Sequence, residues 1–401
     1  MSFADVPLVL MLAGLAAYAV LGGADFGVGI WQLTAGRRRD EVREFTHEAI
    51  APVWEANHVW LIFVLVVCWT GYPTAFGSIA STLSVPLFIA ALGIILRGMA
   101  YALRLQSGRE QRAADDVFAL SSILTPFALG AAIGGIASGR VPVGNAQGSL
   151  VTSWLNPTSI LIGVLAVTVG AYLAAVFLAG DAAKAGRDDL ARAFRARALV
   201  AGVLAGAVAF AGLGVLSSDA PRLWDGLTSG AGLACVLVSA AAGIATLLLV
   251  GRGLFQPARF VAALAVAAIV AGWGAAQNPV FLPGLTVEQA AAGRTTLIAL
   301  ILGIAAGAVV LVPSLALLFT LVLRGRFGPR ARREPGRVDV LRRRAIALPL
   351  EWLAIGFLAA GVGLTMFAGA AWALAIGVVC LFAFVATGFL AIAGPGSASP
   401  P

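Results

Sequence analysis

Residues 51–62 read Ala-Pro-Val-Trp-Glu-Ala-Asn-His-Val-Trp-Leu-Ile, and Glu55, Asn57 and His58 enter what is otherwise an apolar run. Between Glu55 and Arg97 the only side chain able to carry a charge is His58. Glu55 therefore stands at the mouth of a very long hydrophobic segment. In a bilayer an unpaired charge costs on the order of 3 kcal/mol, so an ionisable group in such a place is by default a functional-site candidate.

Outward from this stretch, composition fixes the class. Of 401 residues, 60% are hydrophobic and only 11% charged, with a mean hydropathy of +0.96. So few charges cannot cover a soluble domain, and the chain reads as an all-α polytopic membrane protein. Segments free of Asp, Glu, Lys and Arg run over 6–24, 56–96, 117–139, 141–180, 198–218, 226–251, 260–287, 295–323 and 352–401. A single span needs roughly 20 apolar residues, so the longest runs are expected to be broken. Gly71-Tyr72-Pro73, Asn156-Pro157 and Gly369 supply turn chemistry at the expected breaks, which predicts eleven transmembrane helices.

Basic residues test that scheme, because short cytoplasmic loops collect Lys and Arg. Arg37, Arg38, Arg39 and Arg43 fall in the first loop and Arg97 to Arg112 in the third. Lys184 to Arg197 occupy the fifth, Arg252 and Arg259 flank the seventh, and Arg324 to Arg344 fill the ninth. The opposite side holds Arg140, Arg222 and Arg294, a division of 24 against 3 among the 27 Lys and Arg. The N-terminus is thus expected outside and the C-terminus in the cytoplasm. The net charge of +8 then needs no nucleic-acid partner, since membrane orientation and anionic lipid headgroups account for it. Residues 1–20 lack Lys, Arg and a small-residue cleavage signature, so the first helix is expected to be retained rather than cleaved as a signal peptide. Cys68, Cys235 and Cys380 sit in three different apolar helices without paired spacing and read as inert small hydrophobes.

In the first helix, Gly22, Gly23, Gly27 and Gly29 surround Asp25. The Gly23-x-x-x-Gly27 spacing lets a neighbouring backbone approach closely, whereas the carboxylate needs pairing, hydration or protonation. Residues 37–48 form a charged cytoplasmic connector with an amphipathic look, expected to be a solvated loop. Ala51-Pro52 opens the second helix, with Pro52 in the first turn. Trp54 and Trp60 are interface anchors, and Arg97 ends the third helix. Asp25, Glu55 and Arg97 therefore share the cytoplasmic leaflet, where they form a salt bridge or a hydrated proton chain.

Later helices carry Ser121, Ser122, Thr125 and Pro126 among many Gly and Ala, which suit close packing and define no site. The outer loop 277–294 is long, and Pro313-Ser314 predicts a kink. Glu44-x-x-His47 and Glu55-x-x-His58 have the spacing of carboxylate di-iron bundles, yet they lie roughly 16 Å apart along a helix and cannot serve one metal pair. No metal site and no catalytic residue is expected in this chain. With only two histidines, His47 and His58, it cannot ligate several haems.

Three motifs in fixed order carry a resemblance. Gly23-Ala-Asp25-Phe-Gly27-Val-Gly29, then Ile50-Ala-Pro52-Val-Trp54-Glu55-Ala-Asn57-His-Val59-Trp60-Leu-Ile62, then Arg97 resemble subunit II of the cytochrome bd quinol oxidases; Leu155-Asn-Pro157 and Val312-Pro313 fit the same pattern. The resemblance covers about residues 5–323. It implies a nine-helix subunit of a terminal oxidase of the bacterial cytoplasmic membrane, which oxidises quinol and reduces dioxygen to water. Haems b and d would belong to a partner, subunit I, and this chain would be haem-free. Asp25 and Glu55 would lie on a proton route from the cytoplasm. Trp54, Asn57 and Arg97 would shape that route and the subunit interface, with His58 and Trp60 as supporting positions. Some members hold a quinone in a structural site.

Three departures accompany the match. Glu55-Ala56 stands where the best-known members have Asp-Gly, Ala24 replaces a Phe, and residues 324–401 extend beyond the core. The expected organisation is a membrane domain over 1–323, a basic cytoplasmic linker over 324–348, a two-helix hairpin over 349–393 and a disordered tail over 394–401. The competing function is a proton-coupled transporter or channel that uses Asp25, Glu55 and Arg97 as its relay. Composition suits it, but no repeated halves or paired broken helices are visible.

Overall fold

The structure is a computed structural model that describes residues 2–50, 54–103, 109–323, 350–367 and 370–393. It divides into two compact units, Met1–Val322 and Leu323–Pro401. The first begins with α1 (Asp5–Leu33), a 3-10 turn at Gly36–Arg38 and α2 (Arg39–Ile50), followed by α3 (Trp54–Gly71), α4 (Pro73–Thr82), α5 (Ser84–Leu103) and α6 (Arg109–Ala137). It continues with α7 (Pro157–Lys184), α8 (Asp188–Asp219), α9 (Pro221–Leu227), α10 (Gly230–Gly251) and α11 (Phe255–Gln277). A two-stranded hairpin, β1 (Val280–Leu282) and β2 (Leu285–Thr286), then leads through α12 (Val287–Ala290) to α13 (Arg294–Leu323). The second unit contains α14 (Leu350–Phe367) and α15 (Ala371–Ala393).

Among the described residues, seven helices are long and apolar enough to cross a bilayer, and α4 with α5 makes an eighth if that bent pair is one span. The apolar parts of α3 (Asn57–Gly71) and α14 (Trp352–Leu364) are shorter. Burial is inverted relative to a soluble protein. Phe210, Phe260, Phe88 and Trp69 are exposed, whereas Asp25, Arg97, Thr46, Ser121 and Ser122 are buried. Such a surface suits hydrocarbon, and the chain is a multi-pass membrane protein.

α1 is the hub, in contact with α3, α6, α7 and α11. Its crossing with α7 depends on missing side chains. A Cβ on Gly27 would meet the Gly170 carbonyl carbon at 2.5 Å and the Ala174 Cβ at 2.7 Å. The Trp31 indole N–H donates to the Ala171 carbonyl at 2.8 Å beside this crossing. The Gly23-x-x-x-Gly27 spacing therefore does what its sequence predicts.

Two elements differ from the sequence expectation. The connector is not a solvated loop: residues 39–50 form α2, whose Val42, Phe45 and Thr46 are buried against α1, α7 and α8. Its charges are anchored by ion pairs, Arg39 to Asp116 at 2.7 Å, Arg43 to Asp115 at 2.8 Å and Arg187 to Glu41 at 2.9 Å. Arg38 bridges Glu41 and Asp189, and its guanidinium holds the Glu41 carboxyl below the usual carboxylate range.

The third helix is likewise not straight. α4 and α5 meet at Leu83 with a bend of 81°. Pro86 explains the break, because it lacks the N–H that would bond to the Thr82 carbonyl and fits only in the first turn of a new helix. Beyond the bend α5 continues to Leu103, so Arg97 lies inside that helix rather than at its end.

The loop 277–294 folds back onto α1 and α3. Phe281, Leu282, Leu285, Val287 and Ala290 turn into an apolar cluster with Met11, Val67 and Tyr72. The N–H of Ala292 donates to the Gly71 carbonyl at 2.8 Å, and a Thr286–Gln289 capping box starts α12.

Asn156 caps α7 by accepting from the Ser159 N–H at 2.9 Å, with Pro157 at the first helical position. Beside it the Asp219 carboxylate accepts from Arg140 at 2.6 and 2.9 Å and from the Thr158 hydroxyl at 2.6 Å. The loop 138–156, the start of α7 and the end of α8 are thereby tied together. Pro126 and Pro313 lie inside α6 and α13. Pro52, Gly369, the linker 324–348 and the tail 394–401 lie outside the described residues.

Candidate functional site

Helix packing around α1 draws ionisable side chains from separate helices into one buried cluster. Arg97 of α5 is 2% exposed and Asp25 of α1 is 4% exposed. One guanidinium nitrogen donates to Asp25 Oδ1 at 2.8 Å and to the Asp25 carbonyl oxygen at 2.7 Å. The other donates to the Ser122 hydroxyl of α6, which itself donates to the Phe118 carbonyl at 2.6 Å. The planar cation lies 3.9 Å from the Phe118 ring centroid and 5.1 Å from that of Phe26. Arginine suits this place because its fork reaches three acceptors while its faces rest on aromatic rings.

Desolvating both charges is costly, and their mutual attraction with satisfied hydrogen bonds offsets that cost. One atom is left over. Among the described residues Asp25 Oδ2 is buried and has no hydrogen-bond partner, and the same holds for the Tyr18 hydroxyl of α1. Asp25 is therefore held at one oxygen, while the other retains the capacity to accept a hydrogen bond or a proton.

His58 of α3 joins the cluster through its ring, with centroids 6.0 Å from Phe26 and 6.1 Å from Tyr18. It lies within electrostatic reach of Asp25 and Arg97. Asn57 is buried on the same helix. Trp60 is half-buried and packs edge-on against Phe63 at 6.4 Å, away from the Arg97 cluster. Trp54 and Glu55 stand in the first turn of α3, and their side chains lie outside the described residues.

Of the sequence candidates, Asp25 and Arg97 thus meet directly and His58 lies beside them. Sequence reasoning missed Tyr18, Phe26, Phe118 and Ser122. A hydroxyl pair, Ser121-Ser122, was visible, but its helix rotation was not. Tyr18 also lines an apolar cavity of about 180 Å³, together with Met11, Leu15, Cys68, Phe76 and Trp273.

Among the described residues no three of His, Cys, Asp and Glu converge on one point.

The family model described as cytochrome bd terminal oxidase subunit II matches residues 3–322. The chain is 28% identical over 162 residues to the Escherichia coli (strain K12) cytochrome bd-I ubiquinol oxidase subunit 2, a match covering 38% of this chain and 42% of that protein. It is also 28% identical over 131 residues to the Bacillus subtilis (strain 168) cytochrome bd ubiquinol oxidase subunit 2, covering 32% of this chain and 38% of that protein. These matches span about two-fifths of the curated relatives' own lengths. A solved bd oxidase from Geobacillus thermodenitrificans superposes with a TM-score of 0.65 at 25% identity, over 80% of this chain and 99% of that one. The matched region contains Asp25, Asn57, His58 and Arg97 but not α14 and α15, and over it the chain belongs to the cytochrome bd terminal oxidase subunit II family.

Proposed function

We propose that this chain is the haem-free subunit II of a quinol-oxidising, dioxygen-reducing oxidase of the bacterial cytoplasmic membrane. Its partner is subunit I, which carries haems b and d. The observation that carries the reading is the buried Asp25–Arg97 pair inside the family-matched region, with one Asp25 oxygen left without a partner among the described residues. A carboxylate held in this way keeps its geometry while it gains or loses a proton at Oδ2.

In this account Glu55 takes protons from the cytoplasmic side and Asp25 passes them on toward the partner. Arg97 fixes Asp25 and limits the cost of its charge, and Trp54, Asn57 and Trp60 are supporting or interface positions. The reading includes eleven spans, with the N-terminus outside and the C-terminus in the cytoplasm, as the distribution of basic residues suggests. It assigns 1–323 to the oxidase domain, 324–348 to a basic linker that meets anionic lipid, and 349–393 to an added hairpin. A structural quinone is part of the same reading, since the hydrocarbon lining of the cavity beside Tyr18 suits an isoprenoid tail.

Purification of the tagged full-length chain from its native membrane tests this reading. The expected product is a haem-absorbing complex that consumes oxygen when given quinol. A stable, colourless protein that moves protons without a haem-bearing partner would favour the transporter instead.

A further inference from the structure

Glu55 of α3 and Asp25 of α1 lie on different helices, so the side chains where α1 and α3 pack together are the candidates to link them. Tyr18 and Asp25 are seven residues apart on α1, two turns along one face and about 10 Å along the axis. His58 of α3 lies against the aromatic rings of this face, 6.1 Å from Tyr18 and 6.0 Å from Phe26, the neighbour of Asp25. The Tyr18 hydroxyl and Asp25 Oδ2 are buried without partners among the described residues. Buried polar atoms in native proteins are satisfied by protein or by ordered water. Two such atoms beside one imidazole mark a place for internal water.

We propose that His58 is the relay between the two carboxylates, with internal water joining it to Tyr18 and Asp25. The proposal rests on the proton-path reading above. In the forward step a protonated His58 breaks one N–H bond and gives its proton to the water. The water releases a proton to Asp25 Oδ2, and the imidazole is left neutral. A proton arriving through Glu55, three residues earlier on α3, restores the imidazolium. One proton moves, and nothing is oxidised or reduced.

Among the described residues, the charged and titratable groups near His58 are Asp25 and Tyr18 of α1 and Arg97 of α5; Glu55 lies three residues earlier in the sequence of α3. Histidine suits the task because its charge changes near neutral pH. A merely structural histidine, packed as an aromatic wedge, would be replaced by glutamine without any change in pH dependence.

The test uses the complex purified with its haem-bearing partner. His58→Gln is expected to retain the haem content and to lower quinol-driven oxygen uptake per haem by on the order of tenfold, a modest share of what proton transfer by a positioned group contributes. The wild type should slow as rising pH strips the proton from the relay imidazole, and His58→Gln should lose that limb. Tyr18→Phe, which removes only the hydroxyl, should slow the same limb less. Unchanged turnover and pH profile in His58→Gln overturn the relay, and if Glu55→Gln is still slow the broader proton-path reading survives. Unchanged turnover in both variants sinks the two together. Should His58→Gln fail to assemble, the pH profile of Tyr18→Phe decides, and a profile identical to the wild type overturns the proposal.

Discussion

Replacement of Arg97 by methionine is expected to remove most of the assembled, haem-loaded complex from the membrane. The change deletes the bonds to Asp25 Oδ1, the Asp25 carbonyl and Ser122, and leaves the Asp25 carboxylate buried and uncompensated. Breaking a buried pair in this way costs roughly 3–5 kcal/mol. That is a large part of the roughly 5–15 kcal/mol that separates folded from unfolded domains. Arg97→Lys should fall between, because an ammonium keeps the charge but cannot span all three acceptors. Asp25→Asn combined with Arg97→Met leaves no orphan charge, so the double variant should recover much of the lost thermal stability. It should not recover turnover, since an amide cannot carry the proton. The unfolding midpoints of the single and double variants measure this coupling. If Arg97→Met melts with the wild type, the pair is not the anchor of this bundle.

Gly27→Val is expected to be equally damaging for a different reason. Its Cβ would meet the backbone carbonyl carbon of Gly170 at 2.5 Å, and backbone cannot swing aside as a side chain does. α1 and α7 would have to part, exposing the cores that contain Ala24, Val28, Leu173, Ala174 and Val176 and straining the Trp31 to Ala171 bond. Overpacking ordinarily costs about 1–3 kcal/mol where side chains can yield, and here they cannot. Gly206→Ala is the control, because a Cβ there meets nothing within 4 Å. Folded protein per unit of membrane should collapse for Gly27→Val and hold for Gly206→Ala. Equal yields would mean that the two backbones do not cross as described.

What was legible in the sequence follows from the range of each interaction. The glycine spacing at 23 and 27, the Asn156-Pro157 cap and the apolar runs are local signals whose meaning depends on few neighbours. Charge patterning misled at residues 39–50, where many charges hid the stripe of Val42, Phe45 and Thr46 that docks α2. At 82–86 the Pro86 signal was present, but its consequence depends on Leu83 being fully buried, which fixes where the chain turns.

The site divides in the same way. Asp25 and Arg97 stood out because charges in apolar runs require partners, and an arginine–carboxylate pair was the natural solution. Ser122, Phe118 and Tyr18 did not stand out. Hydroxyls and aromatics are ordinary in such helices, and only the relative rotation of α1, α5 and α6 selects the ones that face the guanidinium. His58 was visible as an odd polar residue, yet its closeness to Tyr18 arises only when α1 and α3 pack together.

The central claim is that Glu55 and Asp25 move protons and do not merely hold the fold. Glu55→Gln tests it most directly, because the amide keeps shape and hydrogen-bonding capacity while removing the ability to change protonation. The measurement is quinol-driven oxygen uptake per haem in the purified complex, beside Glu55→Asp as the conservative variant. The account predicts intact assembly and haem content for both, a loss of tenfold or more for Glu55→Gln, on the scale of a lost proton-transfer group, and retained activity for Glu55→Asp. Unchanged turnover in Glu55→Gln would contradict it and reduce this chain to a structural support for its partner.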